Sequence, residues 1–126
     1  MTDRLRAPSP TRVIAYANGE DLDASRAFYT DVLGFEVAME DPVLGFTSPA
    51  NRSAEVLVPP AGFHDPQPRF GIDLGETEAV DAAHAAAVQR GLRVVYALRD
   101  EPWGVRRFFV EDPSGTIINV LAHTAA

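Results

Sequence analysis

The feature that most restricts how this chain folds is a pattern that occurs twice. An apolar strand leads into an amphipathic helix, a glycine and a second strand. Gly34-Phe35-Glu36-Val37 is answered 57 residues later by Gly91-Leu92-Arg93-Val94. In the first copy Arg12–Asn18 alternates, with Val13, Ala15 and Ala17 on one face and Ile14 and Tyr16 on the other. Asp21 is placed to cap a helix from Leu22 to Leu33. Its apolar stripe is Leu22, Phe28, Tyr29, Val32 and Leu33, and Gly34 marks the stop. Strands are expected over 35–40, 44–47 and 54–58, with turns at Asp41-Pro42 and in the run SPANRS. The second copy has a strand over 69–74 and a helix over 77–90 with Val80, Ala83, Ala87 and Val88 as its buried stripe. A strand over 92–98 and a C-terminal hairpin complete it. Each half therefore reads β-α-β-β-β. Such a unit leaves one sheet face uncovered and is expected to pair with its twin.

Residues 59–68 (PPAGFHDPQP) hold four prolines in ten positions, which neither a helix nor a central strand accommodates. The expected organisation is a flexible arm over 1–11, a module over 12–58, a linker over 59–68, a module over 69–123 and a tail over 124–126. In the last hairpin, Val105–Glu111 is rich in aromatic and β-branched residues. Asp112-Pro113-Ser114-Gly115 supplies the turn, and the strand resumes over 116–121. The only tryptophan, Trp103, stands at the mouth of this hairpin, and Asn119 is a polar residue inside an apolar strand.

At 126 residues the chain suits one domain or two halves sharing a core. No apolar run approaches the ~18 residues that span a bilayer, and the start MTDRLRAPSP lacks a signal-peptide core. A cytoplasmic protein without membrane contact is expected. The absence of cysteine excludes thiolate nucleophiles and thiolate metal ligands. A net charge of -7 argues against a nucleic-acid partner and leaves neutral or cationic small molecules open.

Asp21-Leu22 with Ser25 and Phe28-Tyr29, then Leu33-Gly34-Phe35, then Pro102-Trp103-Gly104 with Asp112-Pro113-Ser114-Gly115, resemble the vicinal oxygen chelate superfamily. That superfamily holds glyoxalase I, the bleomycin-resistance proteins and the extradiol dioxygenases. The resemblance spans about Arg12 to His123 and is nearest the bleomycin-resistance branch. It implies an α+β fold of two paired βαβββ modules whose curved sheets enclose a cleft, usually completed in a homodimer.

Family enzymes bind a divalent metal through one His, Gln or Glu on each of four strands. Carried over, those positions fall on Ile14, near Glu55, on Ile72 and on Asn119. Two isoleucines donate nothing to a metal and an amide is a poor fourth ligand. No cofactor is therefore expected, and a divalent metal belongs only to the alternative reading as a glyoxalase-type lyase, isomerase or dioxygenase. A third alternative is an accessory module with a vestigial cleft.

The candidate ligand-binding residues are Trp103, Asn119, Tyr16, Ile14, Ile72 and Glu55, and no catalytic residue is assigned. Trp103 either stacks on a planar ligand or plugs the mouth. Tyr16 shares a face with Ile14 and either lines the cleft or belongs to the core. Glu55, as a lone charge, is expected to be solvated. His64, beside Asp65, reads as a surface-loop residue, His84 as helix packing, and His123 as a residue near a frayed end. Arg106 and Arg107 point to opposite faces. The leading expectation is metal-independent binding of a small molecule, an aromatic or cationic antibiotic or metabolite, by a homodimer.

Overall fold

The computed structural model describes residues 9–124. Of the expected arm and tail, residues 1–8 and 125–126 lie outside the described residues. The described junctions are tied down. Thr11 donates its backbone N–H to the Asp73 carbonyl (2.7 Å), and Thr124 does the same to Gly104 (2.9 Å). Thr11 therefore belongs with the sheet, not with an arm.

The elements run β1 (Arg12–Tyr16), α1 (Leu22–Ala27), a widened helical turn (Phe28–Val32), β2 (Glu36–Met39), β3 (Leu44–Ser48) and β4 (Asn51–Val58). After residues 59–69 come β5 (Phe70–Asp73), α2 (Thr77–Gln89), β6 (Val94–Glu101), β7 (Val105–Glu111) and β8 (Ile117–His123). The fold is α+β, two βαβββ modules sharing one curved sheet of eight strands in the order β2-β3-β4-β1-β5-β8-β7-β6. The order in one half mirrors that in the other. The two first strands, β1 and β5, pair antiparallel at the centre, while β1 with β4 and β5 with β8 are parallel. No helix among the described residues is long and apolar enough to cross a membrane.

Helix α2 covers the outer face of the second half. Val80 and Ala87 are buried against Leu74, Phe108, Val120 and Ala122. His84 packs edge-on against Phe108, ring centroids 5.0 Å apart. The expected stripe ends early, because Val88 is exposed. One residue past Ala87, it is turned about 100° around the helix and away from the sheet.

The first half departs further from expectation. Asp21 does cap α1, accepting the Ala24 N–H at Oδ1 (3.0 Å), and Gly34 (φ 76°) and Gly91 (φ 71°) adopt the left-handed conformation that stops each helix. Yet α1 is six residues long and buries none. From Phe28 the coil widens, with the Leu33 N–H reaching the Phe28 carbonyl (3.2 Å). The extra residue in that turn rotates the later apolar positions off the stripe. Of the five stripe residues, Tyr29 enters the core of Leu44, Phe46 and Val58, while Leu22, Phe28, Val32 and Leu33 stay exposed.

The C-terminal turn forms as its residues dictate. Asp112 Oδ1 accepts the N–H groups of Ser114 (2.8 Å) and Thr116 (3.0 Å), and these bonds hold the carboxyl below its usual range. The hairpin pairs all seven residues of β7 with those of β8.

Candidate functional site

Alternate residues of each strand point into the concave face of the sheet. The central row is fixed by register. Glu55 lies beside Ile14, Ile14 opposite Gly71, Gly71 beside Asn119, and Asn119 opposite Phe109. Glu55, Ile14 and Asn119 of this row line a cleft of about 490 Å³. Ile14, Leu57, Val105 and Leu121 give it an apolar base, with Met39 and Val43 on one flank and Phe63 and Trp103 on the other. Two smaller hollows, about 350 and 280 Å³, border the linker at residues 67–69 and 59–62.

Five of the six sequence-derived candidates meet here: Ile14, Tyr16, Glu55, Trp103 and Asn119. Ile72 does not. It packs outward against the core beneath α2, and its neighbour Gly71 occupies the cleft position. A strand alternates faces with each residue, so one step in register moves a side chain to the opposite side of the sheet.

Gly71 has no side chain, and the space above it is filled. A Cβ built there would lie 2.7 Å from the Tyr16 hydroxyl oxygen. Tyr16 is held in that position by Asn119, whose Nδ2 donates to its Oη (2.8 Å). Asn119 is 3% exposed, and its Oδ1 has no partner among the described residues. Burial raises the Tyr16 pKa, with the Asn119 hydrogen bond and the nearby Arg107 charge opposing that shift. The hydroxyl thus stays protonated at neutral pH.

Glu55 is not solvated as expected. Its side chain is largely buried and paired with Arg12, which also donates from Nε to Asp73 Oδ2 (2.8 Å). Burial raises the Glu55 pKa, with Arg12 and then His123 pulling it back down. His123 itself belongs to β8, not to a frayed end. It lines the cleft and lies 3.2 Å from Arg12.

The other end of the cleft holds His64 and Arg107, the second being one of two adjacent arginines of which the sequence allows one to reach the cleft without saying which. His64, expected on a surface loop, is buried between Tyr16, Phe63 and Phe109, with ring centroids 5.2, 4.9 and 5.7 Å away. Its Nδ1 has no partner among the described residues. Burial, and secondarily the positive charge of Arg107, lowers its pKa to about 4, so the ring is neutral at pH 7. Of the adjacent arginines, Arg106 faces outward to Asp81 and Asp100, and Arg107 faces the cleft. Arg107 is 5% exposed and bonds from Nε to Glu101 Oε2 (2.7 Å). Trp103 is partly exposed at the mouth, packed on Phe63 (5.4 Å).

In chemical terms this is an apolar cavity with a few fixed polar groups, the usual make-up of a small-molecule site. Among the described residues no group of three or more His, Asp or Glu is arranged to hold a metal ion.

Fold and cleft together define a protein of paired βαβββ modules arranged around a concave cleft. The sequence profile of the Glyoxalase/Bleomycin resistance protein/Dioxygenase superfamily matches residues 13–120, and the chain belongs to that superfamily. No curated protein is significantly similar in sequence. Among solved structures, the chain is similar to methylmalonyl-CoA epimerase from Mycobacterium tuberculosis, with TM-score 0.74 and 19% identity over 92% of this chain and 90% of that one. A superfamily member from Vibrio splendidus 12B01 gives TM-score 0.60 and 19% identity over 88% and 97%. Homoprotocatechuate 2,3-dioxygenase from Arthrobacter globiformis gives TM-score 0.67 and 25% identity, over 94% of this chain but 38% of that one.

Proposed function

We propose that this chain is a metal-independent binding protein that takes up a small aromatic metabolite or antibiotic in the central cleft. The observation that carries this is the make-up of the row Glu55–Ile14–Gly71–Asn119. The superfamily's enzymes imply a divalent metal at this row, and these residues do not fit one. Ile14 and Gly71 donate nothing, and Asn119 offers a neutral amide. Glu55 is engaged by Arg12, and the Tyr16 hydroxyl fills the space above Gly71. A divalent ion needs three or four converging donors. The apolar base and the partly exposed Trp103 suit a flat hydrophobic body instead.

The test is a titration of purified protein with nickel, zinc and iron(II), run beside a thermal-shift screen of aromatic compounds without metal. Compounds that raise the melting temperature in the presence of chelator support the proposal. Stoichiometric metal uptake that such compounds require would overturn it.

A homodimer belongs to the same proposal. Leu22, Phe28, Val32 and Leu33 are four large apolar side chains exposed on α1 and the turn after it, more than a lone surface residue needs explaining. Sedimentation of the wild-type chain at twice the monomer mass, and of Phe28→Glu at the monomer mass, is the expected result.

A further inference from the structure

Arg107 is nearly buried, yet it is under-used. Its Nε donates to Glu101, and neither terminal nitrogen has an acceptor among the described residues. Those donors belong to a side chain that borders the cleft. Glu101 does not cancel the local charge, because the same carboxylate also takes Arg99 at Oε1 (3.2 Å) and the Tyr96 hydroxyl at Oε2. Two guanidinium groups share one carboxylate, leaving one positive charge over. The guanidinium is also held in place. Its carbon lies 5.0 Å from the ring centre of Phe109, 5.1 Å from Tyr96 and 5.2 Å from Trp103. Terminal guanidinium N–H groups without a protein acceptor at a cleft wall are available to a ligand, and a planar fork held by aromatic rings is preorganised for a bidentate carboxylate.

We propose that Arg107 makes this cleft a receptor for flat organic acids, the carboxylate on its free nitrogens and the ring system against Trp103 and Phe63. This deepens the small-molecule reading and rests on it. The other end of the cleft does not compete for the anion, since Arg12 there is already engaged by Glu55 and Asp73. Two buried unpartnered atoms border the same cavity, Asn119 Oδ1 and His64 Nδ1. A cationic ligand, compatible with the overall charge, is disfavoured where Arg107 stands.

The experiment uses matched pairs: benzoate, 2-naphthoate and indole-3-acetate, each beside its neutral carboxamide, measured by isothermal titration calorimetry at fixed ionic strength. Wild-type protein should prefer the acids by about ten- to hundredfold, the factor carried by a hydrogen bond to a charged group. Arg107→Gln should erase that preference, bringing each acid and its amide to comparable affinities. If removing one charge unfolds the protein by stranding Glu101, the double variant Glu101→Gln with Arg107→Gln removes both ions and should erase the preference alike. Amides binding as well as acids to the wild type would overturn the role of Arg107 and leave the small-molecule reading standing. No binding of any compound in either set would overturn both.

Discussion

Tyr16 and Asn119 come from opposite halves of the chain and meet above Gly71, so the lock between them can be broken one piece at a time. Tyr16→Phe deletes the hydroxyl and little else. Asn119 Nδ2 then loses its acceptor while Oδ1 is already without one, at a residue 3% exposed. An unsatisfied buried polar group costs about 1–3 kcal/mol. In a chain of this size each kcal/mol lowers the melting temperature by roughly 3–6 °C. Urea denaturation should show a lower midpoint with an unchanged slope, the sign of lost native stability. Adding Asn119→Leu should recover most of the loss, because no polar group is then stranded. The sharper test is Gly71→Ala. In the wild type the new Cβ would lie 2.7 Å from the Tyr16 oxygen, whereas without that oxygen its nearest neighbours are Leu121 Cδ2 at 3.3 Å and Tyr16 Cζ at 3.4 Å. Gly71→Ala should therefore cost less in the Tyr16→Phe background, by a coupling of about 0.5–3 kcal/mol. Equal costs in both backgrounds would refute the packing described here, as would a Tyr16→Phe midpoint equal to wild type.

His64 gives a pH signature. Its pKa falls from 6.5 to about 4 on folding, so between those values the unfolded chain binds a proton that the folded chain does not, and stability drops as pH falls from 6.5 to 4. His64→Phe should flatten urea midpoints over that window relative to wild type; parallel curves would contradict the burial of His64. The two sides of α2 can be weighed with one chemistry: Val80→Ala should cost about 1.5–3 kcal/mol by lost methyl burial and cavity, whereas Val88→Ala should stay within about 0.5 kcal/mol, since Val80 is 0% exposed and Val88 57%. Glu101→Gln should be among the most damaging single changes, at about 3–5 kcal/mol, because it leaves Arg107 buried beside a neutral amide. Chemical denaturation checks each.

The two-fold architecture was legible because its signals are local. Gly34 and Gly91 stop the helices, Asp21 caps the first, and Asp112-Pro113-Ser114-Gly115 closes the last hairpin. The cleft was legible only in part, because its membership depends on parity and on distant partners. The family correspondence put the second-module position on Ile72, although the 57-residue spacing between the helix-stop glycines, applied to Ile14, points to Gly71. A single-residue error was enough to change the face. Glu55 looked like a solvated charge because Arg12, which pairs with it, lies 43 positions earlier in the chain. His64 looked like a loop residue because nothing near it in sequence says that the sheet curls to meet the linker; its burial against Tyr16 and Phe109 is made entirely by tertiary packing. The first helix shows the converse limit. Apolar spacing marks an amphipathic face, but it does not say whether that face meets this chain's own sheet.

Among the described residues, the antiparallel pair β1–β5 is the one place where the two halves of the sheet are joined strand to strand. Arg12–Asp73 and Tyr16–Asn119 cross that line from above, and the cleft straddles it. A molecule seated there touches both halves at once and works as a clasp. Its presence should be recorded in time as well as in affinity: backbone amides of β1 and β5 should exchange their hydrogens with solvent more slowly when the cleft is filled, while those of the outer strands β2 and β6 keep their rates.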